Sequence, residues 1–111
     1  MGNLGEANGY LNEGVAAARK ANLWYWLRFL FDALGYLASA RNPGRAARLF
    51  GAAERLREQL GIGLYPYEHD EYEKYVKLSR SQLDETSWNA AWNEGRLMTL
   101  EQSIEYALQP G

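Results

Sequence analysis

Apolar residues recur at intervals of three and four along the whole chain, and this spacing constrains the fold more than any other feature. An α-helix turns once every 3.6 residues, so such spacing places apolar side chains on one face of a helix. No run of strictly alternating apolar and polar residues is long enough to predict a strand. The sequence therefore predicts an all-α fold of antiparallel helical hairpins.

Turn and capping residues divide this pattern into helices. Asn42 can cap a helix that begins at Pro43, because proline at the first helical position loses no hydrogen bond. Thr99 and Gln102 have the spacing of a capping box, in which each side chain satisfies a free backbone N–H. About six helices are predicted, at residues 4–20, 23–41, 43–60, 66–83, 85–97 and 100–108.

The second predicted helix is apolar nearly all round, which predicts that it lies at the centre of the fold. Arg28 and Asp32 interrupt it, and their i, i+4 spacing predicts a salt bridge along one stripe of this helix. They also leave the helix short of the roughly 18 uninterrupted apolar residues of a membrane span. Since the amino end lacks the features of a signal peptide, we expect a cytoplasmic protein with no membrane segment.

Composition excludes several kinds of chemistry. The 111 residues include no cysteine, which excludes a disulfide, a thiol nucleophile and a thiolate metal site. The formal charge of −2 disfavours general attraction to nucleic acid, which is an unlikely partner for this chain. The one histidine, His69, has only Glu73 at helical spacing as a second ligand, too few for a metal site. We expect no catalytic residue, no metal and no cofactor.

Six residues are candidates for an interaction or a pocket. Four are aromatic and could line an apolar pocket between helices, although such side chains more often fill a core. They are Trp24, Trp26, Tyr36 and Trp92. The other two, Arg45 and Arg48, belong to an arginine-rich third helix, which suggests a phosphate-contacting face. A solvated helix surface is the favoured interpretation, because Glu54 and Glu58 reduce the positive charge of this helix.

Tyr65-Pro66-Tyr67 lies in the longest predicted loop, where two interpretations stay open. The two tyrosines form an exposed aromatic contact, or they staple the loop to the helices.

The third predicted helix carries the spacing of a tetratricopeptide repeat. Ala46, Phe50 and Ala53 reproduce Ala-x3-Phe-x2-Ala, and Leu34-Gly35 precedes them on the second helix. The small residues of this motif admit a partner helix while the aromatic ring fills the gap between hairpins. Gly51 keeps a neighbouring face small, which predicts the close approach of another helix backbone.

The repeat spacing also predicts how one helical-repeat domain is organised. Ala7, Leu11 and Gly14 show a similar spacing near the amino end, so residues 4–20 are predicted to be a half repeat. A hairpin at 23–60, a second hairpin at 66–97 and a capping helix at 99–108 would follow. We therefore expect a segment of a longer repeat array.

Residues 34–108 resemble the carboxyl-terminal region of large bacterial signalling regulators. Residues 44–57 (GRAARLFGAAERLR) and Glu71-Tyr72-Glu73 resemble common stretches of that region. Residues 88–96 and 98–104 resemble its ending AW-x-EGR-x-(M/L)-(S/T)-LE-x-A-(I/L), with Ser103 where the family usually has alanine. In that family a signalling ATPase of the AAA/STAND type precedes tetratricopeptide-like repeats, often with a LuxR-type DNA-binding, transcriptional-activator or nucleotide-cyclase domain. The resemblance implies a terminal repeat module, with the ATPase and DNA-reading parts elsewhere, and the chain has no phosphate-loop motif.

These observations lead us to expect a non-catalytic interaction or regulatory module of a bacterial signalling or transcriptional regulator. Its partner would be another protein, another domain of its own polypeptide, or a second copy bound through the amino end. The alternative is a small-molecule sensor in which the four candidate aromatic residues surround an apolar effector.

Overall fold

The structure, a computed structural model, describes residues 3–109 and consists there of α-helices joined by short connections. The helices are α1 (Asn3–Lys20), α2 (Trp24–Ala38), α3 (Pro43–Leu60), α4 (Pro66–Arg80), α5 (Glu85–Leu97) and α6 (Leu100–Leu108). No strand occurs between residues 3 and 109. The prediction of an all-α fold with six helices is confirmed.

Capping residues set several of the helix ends, and Asn42, Thr99 and Gln102 do so as predicted. The Asn42 side chain accepts a hydrogen bond from the Arg45 backbone N–H at the start of α3. Gly61 ends that helix with a φ of 71°, a left-handed conformation that glycine adopts without steric cost. The capping box of Thr99 and Gln102 opens α6. Local sequence chemistry therefore fixes the boundaries of α3 and the start of α6.

The helix at the centre of the fold is α3, and the prediction that the second helix is central is wrong. α3 packs against α2, α4, α5 and α6, whereas α2 packs against α1, α3 and α4. Small buried residues on α3, including Ala46, Ala47 and Ala53, let neighbouring helices approach from several sides. α2 keeps one side in solvent, where Trp26 is 51% exposed.

α3 and α5 approach each other most closely, at two glycines. A Cβ atom on Gly51 would overlap the Trp92 backbone carbonyl, and one on Gly95 would overlap the Arg48 backbone carbonyl. No side chain fits at either position without moving a helix. The predicted close approach at Gly51 is confirmed, and α5 is the helix that makes it.

Two apolar clusters form the core on either side of α3. The first joins α1, α2, α3 and α6, and Val15, Phe31 and Ile104 lie in it with no exposure. The second joins α2, α3, α4 and α5 around Phe50 and Trp88. The ring of Phe50 lies directly over Gly35 of α2 and contacts the ring of Tyr72 on α4, with 5.7 Å between the ring centroids.

Candidate interaction surface

The four candidate aromatic residues do not meet in one pocket. Trp24 packs against the first core cluster, whereas Tyr36 and Trp92 pack against the second. Tyr36 stacks on Tyr75, with 4.7 Å between the ring centroids. Trp26 lies on the surface. A sensor pocket surrounded by all four rings therefore has no counterpart within residues 3–109.

The two candidate arginines contact other helices. Arg45 is buried and donates hydrogen bonds to the carbonyl oxygens of Tyr106, at 3.2 Å, and Ala107, at 3.0 Å. These carbonyls end α6, where a cation also interacts favourably with the helix dipole. Arg48 pairs with Glu94 of α5 at 2.7 Å. Arg45 is thus neither a phosphate contact nor a solvated surface residue, because its guanidinium caps another helix.

Exposed aromatic side chains instead gather where α2 meets the start of α4. We call this surface the aromatic face, and it consists of Tyr25, Trp26, Phe29, Tyr65 and Tyr67. The rings of Tyr65 and Tyr67 are nearly parallel, with centroids 5.7 Å apart and planes 4° apart. Trp26 contacts both Tyr25 and Phe29, with centroids at 6.0 and 5.8 Å. Trp26 and Tyr67 are the most exposed members, at 51% and 79%.

A buried ion pair supports the aromatic face from beneath. Arg28, 2% exposed, donates from one Nη to both carboxylate oxygens of Glu68 at 3.1 and 2.9 Å. Its guanidinium carbon lies 4.9 Å from the Tyr25 ring centroid and 5.6 Å from those of Phe29 and Tyr65, which are cation–π distances. The pair joins α2 to α4 and holds the rings in place.

Hydrogen bonds connect Tyr25 and Tyr65 to the Arg28–Glu68 ion pair. Arg28 donates to the Tyr25 hydroxyl at 3.2 Å, and that hydroxyl donates to the Tyr65 hydroxyl at 2.6 Å. The Tyr65 backbone N–H donates to the Glu68 carboxylate at 2.8 Å, so Glu68 serves both the ion pair and the first turn of α4. Tyr65 staples the loop to α2, as one interpretation of Tyr65-Pro66-Tyr67 predicts, and Tyr67 is exposed.

The predicted salt bridge between Arg28 and Asp32 is wrong. Arg28 pairs with Glu68 of α4, and Asp32 pairs with Arg57 of α3, with 2.7 Å between Oδ2 and Nη1. Both residues are buried at contacts with neighbouring helices, where a charged group needs a hydrogen-bonded partner most. Two pairs between helices replace one pair within a helix.

Burial dominates the chemistry of Asp32. Loss of solvent raises the pKa of its carboxyl to about 7, although the positive charge of Arg57 acts in the opposite direction. Its Oδ1 has no hydrogen-bond partner among the described residues. Arg57 also donates from its second Nη to the Tyr72 hydroxyl at 3.5 Å.

The depression within the aromatic face is small. It has a volume of about 90 Å³ and lies between Tyr25, Trp26, Phe29 and Tyr67, with Arg28 and Glu68 at its base. Ligand pockets typically enclose roughly 300 Å³ or more. The aromatic face is therefore a contoured surface suited to a macromolecule rather than an enclosed pocket.

Two larger depressions lie along α4. One, of about 300 Å³, is lined by α4 alone, through Tyr72, Glu73, Val76, Lys77 and Arg80. The other, of about 190 Å³, lies between α4 and α5 and is lined by Val76, Arg80, Trp88, Asn89 and Trp92. Since they share Val76 and Arg80, we treat them as one feature, the α4–α5 groove. Trp92 is the candidate residue that lines it.

Residues 3–109 show neither a metal site nor a membrane-spanning helix. The side chains of the described region include no group of three His, Asp or Glu placed to hold a metal ion. Within residues 3–109, no helix combines the length and apolar character needed to cross a membrane. Comparisons with protein-family models, with curated proteins and with solved structures found no match to this chain.

Sequence reasoning singled out Trp26 and left Tyr65 and Tyr67 open, but it missed Tyr25 and Phe29 as members of a shared surface. The sequence alone does not reveal the helical phase of α2 that exposes them, because this helix is apolar nearly all round. Leu27, Arg28 and Phe31 are buried, which places the residues at 25, 26 and 29 on the outer side of the same helix. Recognising that phase required knowledge of which neighbours cover α2.

Proposed function

We propose that this protein is a non-catalytic protein–protein interaction module and that the aromatic face is its docking surface. The observation that carries the proposal is the clustering of five exposed aromatic side chains over one buried ion pair. Contiguous apolar patches on soluble proteins commonly mark interaction sites. Tyrosine and tryptophan dominate the residues that supply binding energy at such sites.

The rigid support of the face favours binding. A side chain that is already held in place loses little conformational entropy when a partner arrives. Tyr25 and Tyr65 are fixed by their shared hydrogen bond, and Tyr67 stacks on Tyr65. Their hydroxyl groups also give the face polar atoms for hydrogen bonds across an interface.

The proposed setting is a cytoplasmic signalling or transcriptional regulator of a bacterium. Its support is the resemblance of residues 44–57 and 88–104 to the terminal repeat regions of such regulators. The partner in that setting is another protein, a second copy of the chain, or another domain of the same polypeptide. The repeat organisation at 23–60 and 66–97 belongs to the same proposal.

Quantitative affinity capture tests the proposal. Wild-type protein, Trp26→Ala and Tyr67→Ala are immobilised and exposed to lysate of the source cells, and retained proteins are compared by mass spectrometry. Matched controls are Tyr10→Ala and Leu97→Ala, which remove exposed apolar side chains outside the face, at 71% and 79% exposure. Melting temperatures confirm that every variant is folded.

We expect the lysate to contain a protein that wild type and both controls retain in equal amounts. Both face variants should retain about tenfold less of it, which is the effect of removing 1–2 kcal/mol at a binding hot spot. Identical retention by all five proteins would overturn the proposal.

A further inference from the structure

We propose that the α4–α5 groove is a second docking site, which binds an extended peptide segment carrying an acidic side chain beside a large apolar one. The groove lies apart from the aromatic face. Tyr67 is at the first turn of α4 and Arg80 is at its end, a separation of about 20 Å along the helix. The inference goes beyond the proposed function and does not require the aromatic face to bind anything.

The groove exists because α4 and α5 both pack on α3 and hardly on each other. Gly51 and Gly95 draw α5 tightly onto α3, and the side chains of Tyr72 and Tyr75 hold α4 against the second core cluster. The space between the two helices is left open to solvent, and it continues into the depression along α4.

The floor of the groove is apolar and aromatic. Tyr72 and Val76 line it from α4, and Trp88 and Trp92 line it from α5 with 5.8 Å between their ring centroids. These side chains pack against the second core cluster, so the floor is firmly held. Each depression has room for one large apolar side chain, at volumes of about 300 and 190 Å³.

The rim of the groove is positively charged. Lys77 and Arg80 are exposed, and none of the carboxylates in the described region lies within ion-pair distance of either. Glu73 lines the first depression as well, so the two cations leave a net positive charge there. This contrasts with the formal charge of −2 for the whole chain.

The position of Arg80 determines which ligand fits. Because Arg80 borders both depressions, a carboxylate paired with it lies beside either apolar site. Both cations are in the last turn of α4, and their long side chains carry the charge to the rim. Asn89 adds a hydrogen-bond donor and acceptor on the opposite wall, suited to a peptide backbone.

The open shape favours a peptide over a small molecule. Small-molecule sites typically bury about 70–90% of the ligand surface, which a groove open along one side does not achieve. An extended peptide instead places successive side chains of one face roughly 7 Å apart, one in each of two neighbouring depressions. Apolar side chains would occupy the floor while an acidic side chain between or beside them meets Arg80.

Fluorescence anisotropy with defined peptides tests the inference. The probe is a fluorescein-labelled peptide of sequence GSDLDFDSG, and the matched probes replace its three aspartates with asparagine or with lysine. The proteins are wild type, Arg80→Gln, Lys77→Gln and the double variant. Arg41→Gln, which removes an exposed cation outside the groove, is the control for net charge.

We expect wild type to bind the aspartate peptide about tenfold more tightly than the asparagine peptide, as two exposed ion pairs would provide. The double variant should lose this preference, and Arg41→Gln should keep it. Equal affinities for the three peptides, a preference that survives the double substitution, or no binding at millimolar peptide would overturn the inference.

The result is independent of the aromatic face. Trp26→Ala should leave the affinity for the aspartate peptide unchanged, because the groove lies apart from the aromatic face. If the peptide does not bind the groove, the proposal for the aromatic face is therefore unaffected. Loss of peptide binding in Trp26→Ala would place the peptide on the aromatic face and overturn the groove as its site.

Discussion

The pH dependence of unfolding reports on the buried carboxyl of Asp32. This side chain pairs with Arg57, lies close to the Arg28–Glu68 pair and is 2% exposed. Burial raises its pKa from 3.8 to about 7, which means that loss of solvent outweighs the attraction of Arg57. Between these two values the folded chain holds a proton that the unfolded chain has released.

The sign and size of the effect follow from proton linkage. A raised pKa in the folded state stabilises the fold fully below the unfolded pKa, and this stabilisation is lost as the pH rises through the folded pKa. Each pH unit in that window lowers the free energy of unfolding by about 1.4 kcal/mol. From the shift of 3.8 to about 7, the total loss is about 4 kcal/mol, a large part of the 5–15 kcal/mol typical of a domain.

Urea unfolding followed by tryptophan fluorescence measures the effect at pH values from 4.5 to 7.5. Asp32→Asn is the matched variant, because the amide keeps the shape of the side chain and does not titrate. Hydrogen bonds from Arg96 and from Ser87 lower the pKa values of Glu58 and Asp84, respectively, and these give the opposite pH dependence. They are present in both proteins, so they cancel in the difference.

We expect the stability of wild type minus that of Asp32→Asn to fall by about 1.4 kcal/mol per pH unit between about pH 5 and 6.5, and to level off above pH 7, where the folded carboxyl has released its proton. A difference that rises with pH would mean that attraction to Arg57 outweighs desolvation. A flat difference would mean that the pKa of Asp32 is not shifted, and either result would refute the reasoning.

Three further predictions concern the close approach of α3 to α5 and the two ends of α6. Gly95→Ala should cost about 1–3 kcal/mol in urea unfolding, because its Cβ would overlap the Arg48 carbonyl; Gly63→Ala, which meets nothing within 4 Å, is the control, and equal stabilities would contradict the close approach. Arg45→Met should speed amide hydrogen exchange in α6, because the last carbonyls of α6 lose the hydrogen bonds from the guanidinium. Unchanged exchange in α6 would exclude the capping role of Arg45. Thr99→Ala should cost about 1 kcal/mol through loss of the capping box, and a thermal melt with no shift would show that α6 does not depend on it.

Local features of the fold were predictable from the sequence. The ends of α3 and the start of α6 depend on residues within a few positions, such as Asn42, Pro43 and Thr99, so spacing alone located them. The predicted ends at residues 41 and 83 lie three residues beyond the observed ends of α2 and α4. There the chain turns without a glycine or proline to mark the stop, and helix ends are then poorly defined by sequence.

The pairing of charges and the central position of α3 were not predictable in the same way. Arg28 and Asp32 suit each other at i, i+4, and only the packing of α3 and α4 against α2 reveals better partners in Arg57 and Glu68. These contacts join residues 25 and 40 positions apart. Spacing arguments apply within one element and do not decide which elements meet.

The aromatic face depends on the same non-local information. A helix that is apolar on all sides gives no phase from which to identify its exposed side, so Trp24 and Trp26 were equivalent candidates. The structure separates them because α1 and α3 cover one side of α2, where Trp24 packs against the core and Trp26 does not. Tyr65 and Tyr67 join the surface through the turn that starts α4.

Site-specific photo-crosslinking is the most direct test of the aromatic face as a docking surface. Benzoylphenylalanine is placed at position 67, which is 79% exposed within the face, and in a second protein at position 10, which is 71% exposed outside it. Both proteins are irradiated in lysate of the source cells. We predict a discrete crosslinked product from position 67, including a product of twice the chain mass if the partner is a second copy, and none from position 10. The absence of a product at position 67, or the same product from both positions, would contradict the proposed docking surface.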